Sequence, residues 1–307
     1  PLCCGNAILN KKTMRLSILI PTHNYDCTRL VYDLEAQLTE EDEIIVGNDC
    51  STDKNIVAKL SEIENSGKSR VFTPHDNDSC PLGRAAIRNA LAREAKGEWL
   101  LFIDADAEVR SKTFIEDYLS ATKFAPVVCG GTGNLPECPS PECRLRYDYE
   151  VEAEKRLTVV RRQRYPYSQL VTFNFLIRRD IFLSICFDEG FKEYGYEDTC
   201  FGFQLKQRDI AIHHIDNKLT HLGIETSDVY LSKIETALRT LSKIEKEQRK
   251  LVRLSGFAMK LERYYLLGLV RCIFRLTKKY LRANLLGKHP NQKLFTFYKL
   301  GYYADVI

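Results

Sequence analysis

The chain has no run of about 18 or more apolar residues, so nothing in it is expected to span a bilayer. It also lacks the glycine signatures of the commonest nucleotide binders. No G-x-x-x-x-G-K-[ST] occurs, and the first apolar run, RLSILIPTH (15–23), leads into PTHNYD where a dinucleotide fold would place G-x-G-x-x-G. GGTGNLP (130–136) supplies glycines at the wrong spacing. P-loop nucleoside triphosphatases and cofactor oxidoreductases are therefore poor fits. Cysteine is plentiful but unpatterned: eleven residues, an odd number and scattered, do not form a secreted disulfide framework, and reduced thiols are expected. Cys138 and Cys143 in CPSPEC have no second pair with which to build a zinc site. The N-terminal PLCCGNAILNKKTM lacks the charged-then-apolar order of a signal peptide, and Met14 is a candidate start. A cytoplasmic protein is the expectation, with the inner face of the cell membrane as a peripheral location.

What is present has ordinary globular proportions, 44% hydrophobic and 28% charged. The stretches 15–23, 42–53, 69–74 and 98–106 read as strands, the second running straight into a polar loop. Between them, 28–39, the stretch up to about 63, and GRAAIRNALAREAKG (83–97) read as helices, the last closed by Gly97. Strands alternating with helices predict an α/β fold with a mainly parallel central sheet. Such sheets bind ligands at the carboxyl ends of their strands, which is where Pro21, Asp49 and Asp104 fall.

FIDADAEV (102–109) holds the most informative pair. Asp104 and Asp106 stand one residue apart as a strand ends, where side chains at i and i+2 share a face. Two facing negative charges are costly unless a cation lies between them. A nucleotide site built from carboxylates meets that need: one acid binds the base or ribose, and Asp-x-Asp holds Mg²⁺ or Mn²⁺ on a diphosphate.

SILIPTHNY, IIVGNDCSTD, GRAAIRNALAREAKGEWLLFIDAD and FDEGFKEYGYEDTCFGFQL occur in one order across residues 15–225. In that order and spacing the chain resembles the family 2 inverting glycosyltransferases of the GT-A fold. The resemblance implies that Pro21 and Thr22 line the nucleotide pocket and that Asp49 contacts the base. Arg88 would help shape that pocket, Asp104 would face the ribose, and Asp106 would ligate the metal. GGTGN (130–134) corresponds to the loop facing the donor sugar, and FNFLIRRDIF (173–182) to the strand and helix that close the catalytic domain. Asp198 corresponds to the general base and Glu197 to a residue supporting the acceptor; both are expected at a helix start, where the dipole favours carboxylates. His221, 23 residues beyond Asp198, corresponds to a metal-ligating histidine, ahead of His213 and His214. In one respect the chain departs from the family: where DDGSTD is usual it has NDCSTD, so Asn48 carries no charge and Cys50 lacks glycine's freedom at positive φ.

The implied reaction moves a sugar from a nucleotide-sugar, a UDP-sugar first, to a hydroxyl of a glycan or lipid-linked acceptor. It needs Mn²⁺ or Mg²⁺ and inverts the anomeric centre. A nucleotidyltransferase and a non-catalytic nucleotide-sugar or glycan binder remain as alternatives. Charge divides the chain near residue 225: residues 225–307 hold 17 Lys/Arg and 7 Asp/Glu, or +10, leaving 28 and 34, or −6, before them. The expected organisation is therefore a catalytic domain over 14–225 and a basic helical extension over 226–307. LSKIETALRTLSKIEKEQRKL (231–251) repeats apolar residues with helical period above a basic face. That charge suits an anionic membrane surface, with packing on the catalytic domain or on a second subunit as the alternative. No recognised nucleic-acid motif accompanies it.

Overall fold

A computed structural model describes residues 15–67, 69–74 and 81–307; the N-terminal stretch before them, Met14 included, lies outside the described residues. The first half alternates as the apolar runs require: β1 (Leu16–Thr22), α1 (Thr28–Glu35), β2 (Asp42–Asn48), α2 (Lys54–Asn65), β3 (Arg70–Phe72), α3 (Arg84–Glu94) and β4 (Trp99–Ile103). Then come β5 (Ala107–Glu108), α4 (Phe114–Ala121), β6 (Val127–Cys129), β7 (Thr132–Gly133), α5 (Arg144–Arg156), α6 (Val159–Arg164), β8 (Asn174–Arg178), α7 (Arg179–Ile185), α8 (Glu197–Gln207), β9 (Ile212–His214) and β10 (Leu219–His221). The chain ends in α9 (Ser227–Lys243), α10 (Lys246–Arg249), α11 (Arg253–Arg263), α12 (Leu267–Leu285) and α13 (Gln292–Val306).

The central sheet has the order β3-β2-β1-β4-β8-β6-β9. Its pairs are parallel except where β8 runs against both β4 and β6. Unbroken apolar runs suit these strands because both faces are covered. Ile18, Ile20, Leu101 and Ile103 point into one core, while Leu19, Leu100 and Phe102 point into the other. A second sheet, β5-β10-β7, lies at the carboxyl-end side and pairs His221 with Ala107, directly after Asp106.

Two helix ends differ from expectation. Helix α3 stops at Glu94, with Ala95 already extended; Gly97 instead donates its amide to Ser17 Oγ at 2.8 Å. The amphipathic stretch from 231 breaks after Lys243 because Ile244 turns extended and buries its side chain in a third core. That core joins Leu145 of α5 and Cys200 of α8 to Tyr230, Leu238, Phe274, Phe295, Tyr298 and Tyr303 of the C-terminal helices.

Candidate active site

At the carboxyl ends of β1, β2 and β4 lies a cavity of about 360 Å³. It brings together Pro21, Thr22, Asp49, Arg88, Asp104 and Asp106, six residues singled out from the sequence, and adds His23, Tyr25 and Arg84, which were not. The loop after β2 is held by the loop after β1. Asn24 Oδ1 accepts from the Thr52 and Asp53 amides at 2.8 and 3.0 Å, and His23 Nδ1 donates to the Asp49 carbonyl at 2.6 Å. Asn48, the uncharged departure in NDCSTD, accepts from the Ser51 amide at 2.9 Å and so keeps the loop turned. Cys50 takes φ +58° in this loop, a conformation that favours glycine, and is disulfide-bonded, contrary to the expectation of reduced thiols throughout. Cys138 and Cys143 are free and engage the Ser140 and Ile224 carbonyls.

Asp49 turns both carboxylate oxygens toward α3, accepting from the amides of Leu82 at 2.7 Å and Gly83 at 3.0 Å. It thus serves the helix start as well as the cavity wall, where a carboxylate meets the positive end of the dipole. One turn into α3, buried Arg88 donates Nη1 to the Arg84 carbonyl at 2.9 Å and Nη2 to Asp104 Oδ1. Its Nε has no partner among the described residues. Arg88 therefore neutralises Asp104 from beneath and fixes the direction of that carboxylate.

Asp106 is held differently. Its Oδ2 lies 3.1 Å from His221 Nε2, and His221 Nδ1 lies 2.8 Å from Glu150 Oε2. Burial alone would lower the His221 pKa, but hydrogen bonds to Asp106 and Glu150 and the charges of those carboxylates outweigh it and raise it to about 9. The same contacts hold Asp106 and Glu150 below the usual carboxylate range, although burial pushes both upward. Arg146 pairs with Glu150 at 2.7 Å and Glu225 at 2.7 Å. Its Nη2 lies 3.4 Å from His221 Nε2. With the ring doubly protonated both atoms are donors, so that contact is proximity rather than a hydrogen bond.

The donor atoms at Asp106 and His221 suit a divalent ion. Two donors bound at about 2.1 Å at right angles around an octahedral ion stand roughly 3 Å apart, close to the 3.1 Å seen here. Glu150 on the far nitrogen matches the carboxylate that commonly orients a metal-bound histidine. Among the described residues no group of three or more His, Cys, Asp or Glu is arranged to hold a metal. The nearby Arg146 opposes a cation, but Glu150 and Glu225 offset its charge.

The other histidines are occupied elsewhere. His214 is buried between the Pro166 carbonyl and Arg162, and burial lowers its pKa to about 4; His213 packs on Phe124.

Helix α8 begins after a strained approach: Gly195 has φ +108° and Tyr196 φ +69°. Glu197 is buried, 3.8 Å from Arg84 Nη1, and Arg84 in turn stacks over the Tyr194 ring at 4.8 Å. Among the described residues Asp198 accepts only from its neighbour Thr199, from the amide at 2.6 Å and the hydroxyl at 3.4 Å. Burial, then the charge of Glu197, pushes the Asp198 pKa up to about 7. Glu197 and Asp198 are not part of the cavity wall; Arg84 on the wall reaches Glu197. Arg84 lies four residues before Arg88, so the helical period could have placed both on one face. Nothing local marks Glu150, which meets His221 only through the tertiary fold.

The sequence model of the family described as "Glycosyl transferase family 2" matches residues 17–185. The poly(ribitol-phosphate) beta-N-acetylglucosaminyltransferase TarS of Staphylococcus aureus is 30% identical over 108 residues, which are 33% of this chain and 18% of TarS. The matched segment is thus under a fifth of that relative's length. Over whole structures, residues 1–349 of S. aureus TarS share 18% identity at a TM-score of 0.51, covering 95% of this chain and 90% of the other. A mannosyltransferase from Pyrobaculum calidifontis, in complex with GDP-Man and Mn²⁺, gives a TM-score of 0.56 at 13% identity, covering 94% and 84%. At these identities the likeness shows the fold.

Proposed function

The chain belongs to glycosyl transferase family 2 and has its GT-A fold, and from that footing we propose that it is an inverting glycosyltransferase acting on a nucleotide-sugar, a UDP-sugar first. The observation that carries this reading is the link, through Arg84, between the Asp104–Asp106 pair and the start of α8. Asp104 and Asp106 line the cavity from the sheet, and Arg84 on the same wall lies 3.8 Å from Glu197, the neighbour of Asp198 in the chain. The choice of uridine draws support from TarS, whose structure has been solved with UDP and with UDP-GlcNAc.

In this reading the wall formed by Pro21, Thr22, Asp49 and Arg88 receives the nucleoside, and Asp104, oriented by Arg88, faces the ribose. Asp106 and His221 would hold Mn²⁺ or Mg²⁺, which supplies positive charge against the diphosphate leaving group. Asp198 takes the proton of the acceptor hydroxyl as its oxygen bonds to the anomeric carbon and the bond from that carbon to the diphosphate oxygen breaks. One displacement inverts the centre, with no covalent sugar on the protein. A pKa near 7 suits a base at neutral pH. Glu197, paired with Arg84, helps seat the acceptor, which we take to be a hydroxyl of a glycan or a lipid-linked saccharide.

A panel of nucleotide-sugars, with and without Mn²⁺, tests the reading by thermal shift and by assay of released products. Stabilisation by one donor, followed by release of its nucleoside diphosphate and of no pyrophosphate, is expected. Pyrophosphate release would make the protein a nucleotidyltransferase, and binding without turnover on any saccharide acceptor would make it a binding protein.

A further inference from the structure

Helix α12 is buried on one side only. Leu267, Phe274, Leu281 and Leu285 face the C-terminal core. Opposite them, Leu269, Ile273, Leu276 and Tyr280 recur at helical spacing and are exposed, Leu276 at 81% and Tyr280 at 70%. In the turn that leads into α12, Tyr264, Tyr265 and Leu266 are exposed as well, as is Phe257 on α11. From Leu269 to Tyr280 the stripe runs about 16 Å along the helix at 1.5 Å per residue. A stripe of this length with no partner among the described residues marks an interaction face.

Charge identifies it. Residues 253–288 contain nine Lys/Arg against one acid, Glu262. Arg271, Arg275 and Arg282 are engaged by Ala304, Asp305, Asp228 and Glu235. Lys260, Arg263, Lys279 and Lys288 are exposed and, among the described residues, have no ion pair. A second copy of the chain docked on this face would bring like charges together, and nucleic acid would leave the leucines and isoleucine without a partner. We propose that the outer face of α12, with Tyr264 and Tyr265 at its N-terminal end, docks on an anionic lipid bilayer. The helix lies in the plane of the interface, its aliphatic side chains enter the acyl boundary, and the lysines and Arg263 meet headgroup phosphates. Tyrosines suit the headgroup level, where a ring can be buried while its hydroxyl stays wet. No helix among the described residues is long and apolar enough to cross a membrane, so the contact is peripheral.

The test is flotation of the full chain with phosphatidylcholine vesicles, with and without about 30% phosphatidylglycerol, a fraction chosen to give a strongly anionic surface. Binding is expected only with the anionic lipid. Leu276→Asp should weaken it about tenfold or more, and Lys279→Gln should weaken it about fivefold. Thermal unfolding of both variants should match the parent because both side chains are exposed. Equal binding to neutral vesicles, or wild-type affinity in Leu276→Asp, would overturn the proposal. So would a dimer in sedimentation that Leu276→Asp splits while vesicles are ignored, since the stripe would then belong to a second copy.

Discussion

At the residue scale Asp198 differs in its electrostatics from Asp104, Asp106 and Glu197, and this separates its proposed role. Asp104 and Asp106 each have a cationic partner, Arg88 and His221. Among the described residues Asp198 has none in direct contact, and burial, then the charge of Glu197, raises its pKa to about 7 despite the hydrogen bonds from Thr199. A base works as the carboxylate, so kcat/KM should climb as pH rises through about 7 and level off above it. In Asp198→Asn turnover should fall about 10²-fold or more while donor affinity changes little; retention of the parental pH profile would move the base elsewhere. Stability carries the opposite sign. The folded state holds this proton more tightly than the unfolded chain, so stability is lost as pH rises between the ordinary carboxylate pKa, about 4, and about 7. Asp198→Asn should therefore unfold at a higher temperature than the parent at about pH 8. Asp106→Ala should remain folded but lose Mn²⁺-dependent protection by UDP, and excess chelator should abolish transfer in the parent; full activity in chelator would remove the metal from the scheme. The places of Asp104 and Asp106 at a strand end and of Asp198 at a helix start were legible because such ends carry local signals, whereas their proposed roles rest on the resemblance. Glu150 and Arg146 were not, because α5 reaches His221 only after folding.

At the element scale the site depends on short strands that sequence patterns resolve poorly. Strands β5, β7 and β10 are two or three residues long, too short for a period to show. Strand β8 gives an apolar run that reads alike in either direction, so its antiparallel setting between β4 and β6 was not visible. The longer elements β1, β2, α3 and β4 could be placed within a few residues because both cores select continuous apolar strands. The small sheet has a sharp steric requirement of its own. Just past β10, a Cβ at Gly223 would overlap the Asp106 carboxylate. The Leu222 amide, beside it, bonds the Asp106 carbonyl at 2.8 Å, which leaves the backbone little room to retreat. Gly223→Ala should therefore displace the Asp106 side chain and weaken metal-dependent donor binding about tenfold or more, with a loss of stability of about 1–3 kcal/mol. Equilibrium binding of UDP with titrated Mn²⁺, beside thermal unfolding, measures both. Unchanged metal dependence would show that Asp106 does not need its present position.

At the scale of the whole molecule, the charge boundary near residue 225 is not a boundary in packing. Helix α9 begins at Ser227, yet the core beneath it includes Leu145 of α5 and Cys200 of α8. Polar contacts between the C-terminal helices add to it: Tyr298 donates to Glu235 at 2.5 Å, and Arg249 donates to Tyr303 at 3.2 Å. Phe274, Phe295, Tyr298 and Tyr303 are buried there at about 1% exposure or less, so the basic helices form a core rather than a detachable tail. Composition could reveal the change in charge, but not that Leu145 and Cys200 belong with residues of the C-terminal helices far along the chain. Removal of everything after residue 225 would expose α5 and the outer side of α8, the two elements that hold Glu150, Glu197 and Asp198. The truncated chain should then fail to show a cooperative thermal transition. Phe274→Ala, which cuts a cavity in that core without touching the nucleotide pocket, should cost about 3–5 kcal/mol and lower Tm by roughly 6 °C or more for a chain of this size. A single transition that shifts as a whole in Phe274→Ala would mean that the pocket and the helices melt as one body. Two transitions, with only the second moved, would mean that residues up to 225 fold alone, and then truncation rather than point substitution would be the cleaner way to separate catalysis from the C-terminal helices.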